Sequence, residues 1–334
     1  MVSVADGPLP APVPLPPLPG RNRPGGADGA GIRGGGPLAQ LRTAIRDEQT
    51  RYGYLFILPS LLFFLVFIAF PVAFSFYLSF HSWNPLSDTK RFVGLANYAE
   101  LVHSDAFGRT LLNTLVFDLS AIVLITVFSL LLAIALDQGL AWTGFFRAIF
   151  YSPVVTSFVA TGLVWLWVLD PGHGLVNNLL GAVGLPRPGW ASDPYWAMPS
   201  VVLTYTWREV GYFTVIYLAG LQGIPETLKE AARVDGGGSR QVFRYVTLPL
   251  LAPTTLFVLV LGTIRATQLS FGIIYVMTAG GPVQATNVIV LDLYKQAFQF
   301  LRMGYASALA YVIFAVIFVA TLVQFRLLGR RTEF

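Results

Sequence analysis

The chain has 334 residues, of which 55% are hydrophobic and only 12% are charged, and its mean hydropathy is +0.64. This composition excludes an ordinary soluble domain and is typical of an integral membrane protein. The sequence contains no cysteine and only three scattered histidines, which excludes disulfides and metal sites built from thiolate or histidine ligands. The net charge of +5 is modest and gives no reason to expect nucleic acid as a partner.

The N-terminal segment differs in composition from the rest of the chain. Residues 1–37 contain nine proline and nine glycine residues and have no apolar periodicity. Such a segment cannot bury enough apolar surface to offset the entropy that is lost on ordering. We therefore predict a disordered cytoplasmic tail over residues 1–50, followed by one transmembrane domain over residues 51–334.

Six apolar runs follow the tail. The hydrocarbon core of a bilayer is about 30 Å thick, so a helix that rises 1.5 Å per residue needs about 20 apolar residues to cross it. The runs lack the two-residue alternation of barrel strands. We predict an all-α membrane protein with six transmembrane helices, at residues 54–80, 111–136, 145–169, 197–221, 248–271 and 304–327.

The distribution of Lys and Arg predicts the orientation of these helices. The tail, the second and fourth connections and the C-terminus hold 14 of the 22 basic residues, whereas the other connections hold six. Basic residues are enriched on the cytoplasmic side of membrane proteins. We therefore expect both termini, and the connection between the fourth and fifth helices, to face the cytoplasm.

That fourth connection, residues 225–249, is polar and rich in small residues. Pro225 suits the start of a helix, and the run 235–238, Asp-Gly-Gly-Gly, is expected to end it. A second short turn then leads into the fifth crossing at Leu248-Pro249. The pattern predicts a short helix across the membrane surface, over about residues 225–246. From composition alone, a solvated loop is the alternative.

Three sequence elements resemble those of one transporter family. Glu230-Ala231-Ala232, Gly236 and Val246-x-Leu248-Pro249 have the spacing of the EAA motif, with Val in place of Ile. Residues 91–98 are similar to an F-x-G-L-x-N-Y element, and residues 273–282 end in a T-x-G-G-P loop. The chain thus resembles the membrane-spanning permease subunits of binding-protein-dependent ABC importers, of the maltose and glycerol-phosphate type.

This resemblance implies a type I importer permease fold in which residues 225–246 form the coupling helix. It also implies that this helix docks on a separate cytoplasmic ATPase and that the Glu230 carboxylate pairs with a basic group there. The residues expected to take part in this coupling are Glu230, Ala231, Ala232, Asp235, Gly236, Leu248 and Pro249.

The resemblance further implies a set of partners in a bacterial inner membrane. They are a second, homologous permease subunit, two copies of the ATPase and an extracytoplasmic solute-binding protein, with lipid around the helices. The sequence contains no Gly-x-x-x-x-Gly-Lys-Ser/Thr phosphate loop. ATP and magnesium are therefore expected to bind the partner ATPase, and neither a cofactor nor an enzymatic activity is expected in this chain.

Polar residues inside the predicted helices are the candidates for contact with a solute, because charge in hydrocarbon is costly and usually faces a wet cavity. Arg208 lies eleven residues into the fourth crossing, about 16 Å deep. For Arg208 and Glu209 the alternative is an ion pair between helices or subunits. For Arg265 and Gln268 it is extension to the membrane interface or docking of the binding protein. The candidates are Asn113, Tyr205, Trp207, Arg208, Glu209, Arg265 and Gln268.

The predicted function is that of a permease subunit that forms half of the path for a sugar or related carbohydrate. The alternative is an ion-coupled secondary transporter, in which Asp118 and Glu209 would bind protons or sodium. Many transporters of that class have matched broken helices in two repeats. The first three and the last three predicted crossings of this sequence lack such a match.

Overall fold

The computed structural model of the chain describes residues 48–87, 89–138 and 142–329. The predicted disordered tail lies outside these ranges up to residue 47, and the first helix begins at Glu48. The chain divides into two compact units, Met1–Leu65 and Val66–Phe334. In the first unit the structure describes helix α1 (Glu48–Phe64), which has Pro59 inside it and is almost wholly apolar after Tyr54.

The second unit combines helices with one short antiparallel hairpin, β1 (His81–Ser82) and β2 (Arg91–Phe92). Its helices are α2 (Phe70–Ser79), α3 (Ala96–His103), α4 (Asp105–Asp137), α5 (Thr143–Val155), α6 (Phe158–Val168), α7 (Leu175–Ala182), α8 (Ala197–Gln222), α9 (Glu226–Val234), α10 (Ser239–Val242), α11 (Leu248–Leu250), α12 (Ala252–Met277), α13 (Ile289–Tyr294) and α14 (Met303–Leu328). The described chain also contains π-helical turns at Leu65–Ala69, Phe243–Thr247 and Lys295–Gln299, and a 3-10 turn at Trp190–Ser192.

Four of the six predicted crossings are confirmed, within the described ranges, as helical stretches that are long and apolar enough to cross a membrane. The fifth crossing differs most in its bounds, since its long helix runs to Met277 and begins only at Ala252. Pro253 fits the first turn of that helix, where its missing N–H is not needed. The four stretches are Tyr52–Ser79, Asp105–Asp137, Ala252–Met277 and Met303–Leu327.

The third predicted crossing, residues 145–169, is wrong as a continuous helix. The structure places two helices there, α5 and α6, which are bent by 102° relative to each other. Thr156 and Ser157 between them are extended, and the Ser157 hydroxyl accepts a hydrogen bond of 3.1 Å from Ala160 N. This side-chain cap starts a new helix, which competes with continuation of the old one. We call the Thr156–Ser157 step the break.

The fourth predicted crossing forms the single helix α8, at almost the predicted residues. It is less apolar than the others because it contains Arg208, Glu209 and several hydroxyl residues. Helices α4, α5 and α12 all pack against it. Tyr205, Phe213 and Tyr217 of α8 are fully buried and belong to the main hydrophobic core. Helix α8 is therefore the centre of the second unit.

The first and last long helices of this unit are joined at the end that carries the hairpin. The Asn97 amide in α3 donates to the carbonyls of Ser79 and His81, at 2.8 and 3.0 Å. Arg302, next to α14, forms a 2.6 Å ion pair with Glu100 of α3. Asn97 belongs to the F-x-G-L-x-N-Y element, so this element fastens the end of α2 to the loop and helix that follow.

A close helix crossing depends on Gly211, and substitution of this residue provides a test of the fold. A Cβ atom at Gly211 of α8 would lie 2.0 Å from the carbonyl oxygen of Phe150 in α5. We expect Gly211→Ala to destabilise the protein by about 1–3 kcal/mol, the usual cost of overpacking. Thermal unfolding of the detergent-solubilised chain measures this. Gly144→Ala in α5 is the control, because no atom lies within 4 Å of its added Cβ. Equal melting temperatures for the two variants would contradict the packing of α5 on α8.

Candidate coupling segment and intramembrane charge cluster

The polar segment 225–249 folds as two short helices joined by glycines. Pro225 is the residue before α9, which ends at Val234, and Gly236 has a left-handed backbone with φ of +87°. Glycine adopts this conformation without the steric cost that a Cβ atom would impose. Helix α10 and the π turn follow and continue into α11. The predicted short helix, glycine break and second turn are all present.

The segment is joined tightly to two long helices. Only three residues separate the end of α8 at Gln222 from the start of α9 at Glu226. On the other side, the π turn Phe243–Thr247 passes directly into α11, and α12 begins soon after it. Ile224, just before the segment, and Val242, at the end of α10, are buried. Helix α9 is therefore connected to both α8 and α12 through short structured segments.

The two glutamates of α9 have different surroundings. Glu226 accepts hydrogen bonds from Lys229 at 3.0 Å and from Arg233 at 3.2 Å. The Lys229 ammonium, with Arg233 beside it, holds the pKa of the Glu226 carboxyl below its usual value. Glu230 is exposed and forms no hydrogen bond or ion pair with any residue that the structure describes. Its carboxylate is thus available to another molecule.

The other residues predicted for coupling lie on or beside the same surface. Ala231, Asp235 and Gly236 are exposed, and Ala232 is half-buried. Leu248 and Pro249 lie in α11, where the segment enters the fifth crossing, and Leu248 is exposed whereas Pro249 is half-buried. The motif therefore has two parts. One is an exposed helix that presents small residues and the Glu230 carboxylate, and the other is a base that joins this helix to α12.

A second group of functional candidates is brought together deep in the helical unit. Glu209 of α8 is fully buried and lies between two arginines, an arrangement we call the charge cluster. Its Oε1 accepts a hydrogen bond from Arg208 Nη1, and its Oε2 accepts one of 2.9 Å from Arg265 Nε of α12. The Arg265 Nη2 atom lies 2.8 Å from the same Oε2 in an ion pair. An ion pair between helices is the predicted alternative to solute contact for Arg208 and Glu209, and the Glu209–Arg265 bond is such a pair.

Arg208 makes further contacts with the broken crossing. Its Nη2 donates to the carbonyls of Val154 and Thr156, at 3.0 and 2.9 Å, and its Nε also points to Thr156 O at 3.2 Å. The guanidinium lies over the Phe158 ring, 3.6 Å from its centre. Each nitrogen of this guanidinium is therefore engaged by the protein itself.

Arg265 is the more accessible arginine of the cluster. Its side chain is 23% exposed, and its guanidinium lies 4.4 Å from the centre of the Tyr212 ring. It bonds to Glu209 rather than extending to the membrane interface. Gln268, less than one turn further along α12, is exposed. These two residues are the predicted path candidates on α12 with free surface.

The remaining candidates have structural contacts of different kinds. Tyr205 is fully buried and stacks on Phe158, with ring centres 6.4 Å apart. Trp207 is 45% exposed and meets the Trp165 ring edge-on at 5.6 Å. Asn113 is not part of the cluster; its amide donates to the carbonyls of Gln284 and Asn287 in the loop after α12. The structure thus brings Tyr205, Arg208, Glu209 and Arg265 together, whereas Asn113 of α4 bonds to the loop after α12.

Sequence reasoning missed several partners of these residues. Thr267 donates a 2.6 Å hydrogen bond to Asp118 and so joins α12 to α4. Phe158 and Tyr212 lie against the two arginines. No pattern in the sequence indicated these contacts. The four-residue spacing of Thr263 and Thr267 marks one face of α12 and could have indicated a polar contact there. Among the described residues, no group of three His, Asp or Glu side chains could hold a metal ion.

The Thr267–Asp118 bond gives a second test. The second oxygen of Asp118 is buried without a partner among the described residues, so loss of the Thr267 hydroxyl would leave this carboxyl unsatisfied. We expect Thr267→Val to destabilise the protein by about 1–3 kcal/mol. Thr204→Val is the matched control, since the buried Thr204 hydroxyl bonds only to Ser200 O of its own helix. Chemical unfolding of both variants in detergent measures the difference, and an equal loss would argue against the inter-helix bond.

Long apolar helices around a buried charge cluster, with an exposed polar segment joining two of them, define a multi-pass membrane transport component. The chain belongs to the family described as the binding-protein-dependent transport system inner membrane component, whose model matches residues 52–333. The predicted family resemblance is thereby confirmed.

Curated relatives cover most of the chain. It is 38% identical over 277 residues to the probable ABC transporter permease protein YurN of Bacillus subtilis, with 82% of this chain and 94% of that protein covered. It is 33% identical to the trehalose/maltose transport system permease protein MalF of Thermococcus litoralis, with 86% and 96% covered. It is 31% identical to the sn-glycerol-3-phosphate transport system permease protein UgpA of Agrobacterium fabrum, with 84% and 96% covered.

A solved structure has the same fold. It is a bacterial ABC transporter involved in the import of the acidic polysaccharide alginate, and it is similar with a TM-score of 0.76 and 25% identity, covering 88% of this chain and 100% of that chain. The predicted type I importer permease fold is confirmed. The relatives are transport permeases, which agrees with the expectation that the chain is not an enzyme and sets aside an ion-driven transporter.

Proposed function

We propose that this chain is the permease subunit that forms half of the translocation path of an ATP-driven importer for a carbohydrate or a related polyol, such as a sugar phosphate ester. The relatives named for trehalose/maltose, lactose and sn-glycerol-3-phosphate support this substrate class, as does the alginate importer. The single observation that carries the coupling role is the exposed helix α9, whose Glu230 carboxylate has no described partner within the chain.

The proposed mechanism uses the rigid connections of the coupling segment, residues 225–249. ATP binding closes a pair of ATPase subunits, which displaces α9. Because α9 is joined to α8 by three residues and to α12 through the π turn and α11, the displacement moves both long helices. This movement changes the cavity from inward-facing to outward-facing beneath a loaded binding protein.

The proposed assembly contains four further chains. They are a second, homologous permease, two ATPase copies that bind ATP and magnesium, and an extracytoplasmic solute-binding protein. The family description, which names a binding-protein-dependent system and an inner membrane component, supports the binding protein and the location in a bacterial inner membrane. A neighbouring structure of the alginate transporter is a complex with a pentasaccharide-bound periplasmic protein.

We further propose that both termini and the coupling segment face the cytoplasm, on the basis of the distribution of basic residues.

For the solute path we propose the surface of α8 and α12 around the charge cluster. Arg265 and Gln268 have exposed surface and polar groups, and Trp207 offers an exposed aromatic face that suits the C–H surface of a sugar ring. Arg208, Glu209 and Tyr205 are buried behind this surface and support it from within the unit. Asn113 contributes by holding the loop after α12.

The two glutamates of α9 provide a matched pair for testing the coupling role. Glu230→Ala is expected to reduce transport about tenfold or more, because loss of one charge-assisted hydrogen bond to the ATPase costs about 1.5–3 kcal/mol. Glu226→Ala removes a carboxylate that already bonds to Lys229 and Arg233, and it should have the smaller effect. Uptake into proteoliposomes and ATP hydrolysis stimulated by the binding protein measure both. Normal uptake by Glu230→Ala and Glu230→Lys would contradict the assignment.

The composition of the complex provides a separate test. We expect the tagged chain, extracted in mild detergent, to co-purify with an ATPase and a second permease, and its transport to require ATP and the binding protein. Mass spectrometry of the purified complex identifies these chains, and sugars can then be screened against the binding protein. Transport by the chain alone, driven by an ion gradient without ATP, would replace the importer proposal with the ion-coupled one.

A further inference from the structure

The two halves of the broken third crossing pack on different helices. Helix α5 packs on α8, where Gly211 allows the Phe150 carbonyl to approach closely. Helix α6 packs mainly on α12, where a Cβ at Gly162 would lie 3.2 Å from Val276, and one at Gly272 would lie 2.8 Å from Phe158. A relative movement of α8 and α12 must therefore act on the angle at the break.

The break leaves carbonyl groups without helical partners. Thr156 and Ser157 have extended backbones, so the carbonyls of Val154 and Thr156 do not receive the amides that a continuous helix would supply. In a membrane, such groups must be satisfied within the protein. Arg208 of α8 donates to both carbonyls and also lies over the ring of Phe158, the first residue of α6. One guanidinium thus contacts both sides of the break.

The charge cluster connects this contact to α12. Glu209 accepts from Arg208 with one carboxylate oxygen and from Arg265 of α12 with the other. Helices α8 and α12 are also the two helices that flank the coupling segment. The chain of contacts therefore runs from the break, through Arg208 and Glu209, to Arg265 and the helix that begins at the coupling segment.

We propose that Arg208 is a positioning residue that fixes the angle of the broken third crossing, and that the Glu209–Arg265 pair makes this angle follow the relative movement of α8 and α12. The break is then a moving element of the transport cycle, not a fixed kink. The arginine acts through the backbone carbonyls and not on the solute, since its nitrogens are already engaged and its side chain is only 8% exposed. That an ATPase drives this movement rests on the proposed function.

The cysteine-free sequence allows spin labels to be placed at chosen sites. One label pair spans the break, with Phe146→Cys in α5 and Val164→Cys in α6, both exposed positions. A control pair lies on the continuous helix α4, at the exposed residues Leu112 and Val127. Double electron–electron resonance in nanodiscs gives both distance distributions, for the full chain alone and for the co-purified complex with and without trapped ATP. We expect ATP to shift the distance across the break and to leave the α4 distance unchanged.

Two substitutions separate the two parts of the proposal. Arg208→Lys keeps the charge but cannot reach both carbonyls with one planar group, so the distribution across the break should broaden, even in the chain alone. Arg265→Gln leaves the Arg208–Glu209 bond intact, so the distribution should stay narrow but lose its ATP-dependent shift. Neither readout requires bound solute, which distinguishes positioning from a solute-binding role for Arg265. Size-exclusion chromatography verifies that both variants remain folded.

The outcomes that overturn the proposal are specific. An unchanged width in Arg208→Lys, measured in the chain alone, would remove the positioning role whether or not an ATPase partner exists. If the complex with Arg208 and Arg265 in place hydrolyses ATP and the label distance across the break does not change, the break is a fixed kink. Failure of any ATPase to co-purify would instead count against the proposed function, and the width measurement would still decide the role of Arg208.

Discussion

A backbone carbonyl or amide at membrane depth must find its partner inside the protein, because lipid offers none. This constraint makes the long segments helical and requires a substitute wherever a helix is interrupted. At the Thr156–Ser157 break the substitute is the Arg208 guanidinium, whose fork bonds two carbonyls at once. A charged side chain in an otherwise apolar region thus supplies several donors to the interrupted backbone in one place.

The charge that performs this task has to be compensated. An isolated buried guanidinium would be costly, and removal of one partner from a buried ion pair typically destabilises a protein by about 3–5 kcal/mol. Glu209 supplies the compensation and is itself shared with Arg265. The faces of Phe158 and Tyr212 lie against the two guanidiniums and add cation–π contacts. The cluster therefore joins α8, α12 and the broken crossing in a way that apolar packing alone would not specify.

The coupling segment and the charge cluster lie on the same two helices. Helix α8 ends at the segment and α12 begins just after it, while Glu209 and Arg265 bond these helices to each other deep in the unit. The helices are thus joined once by the exposed polar segment and once by the buried charge cluster. A force on the exposed helix α9 is expected to change the position of α8 relative to α12. The broken crossing packs on both of these helices.

The sequence by itself determined the helical class, the places of four crossings and of α8, and the coupling segment. These follow from long apolar runs and from residues that are consecutive or closely spaced, such as Glu230-Ala231-Ala232 and Gly236. Only the tertiary structure decided the break in the third crossing and the partners of Arg208, Glu209 and Arg265. A hydropathy run does not reveal a side-chain cap. The bonds of Arg208 to the break and the Glu209–Arg265 bond join residues 52, 54 and 56 positions apart, which no local pattern specifies.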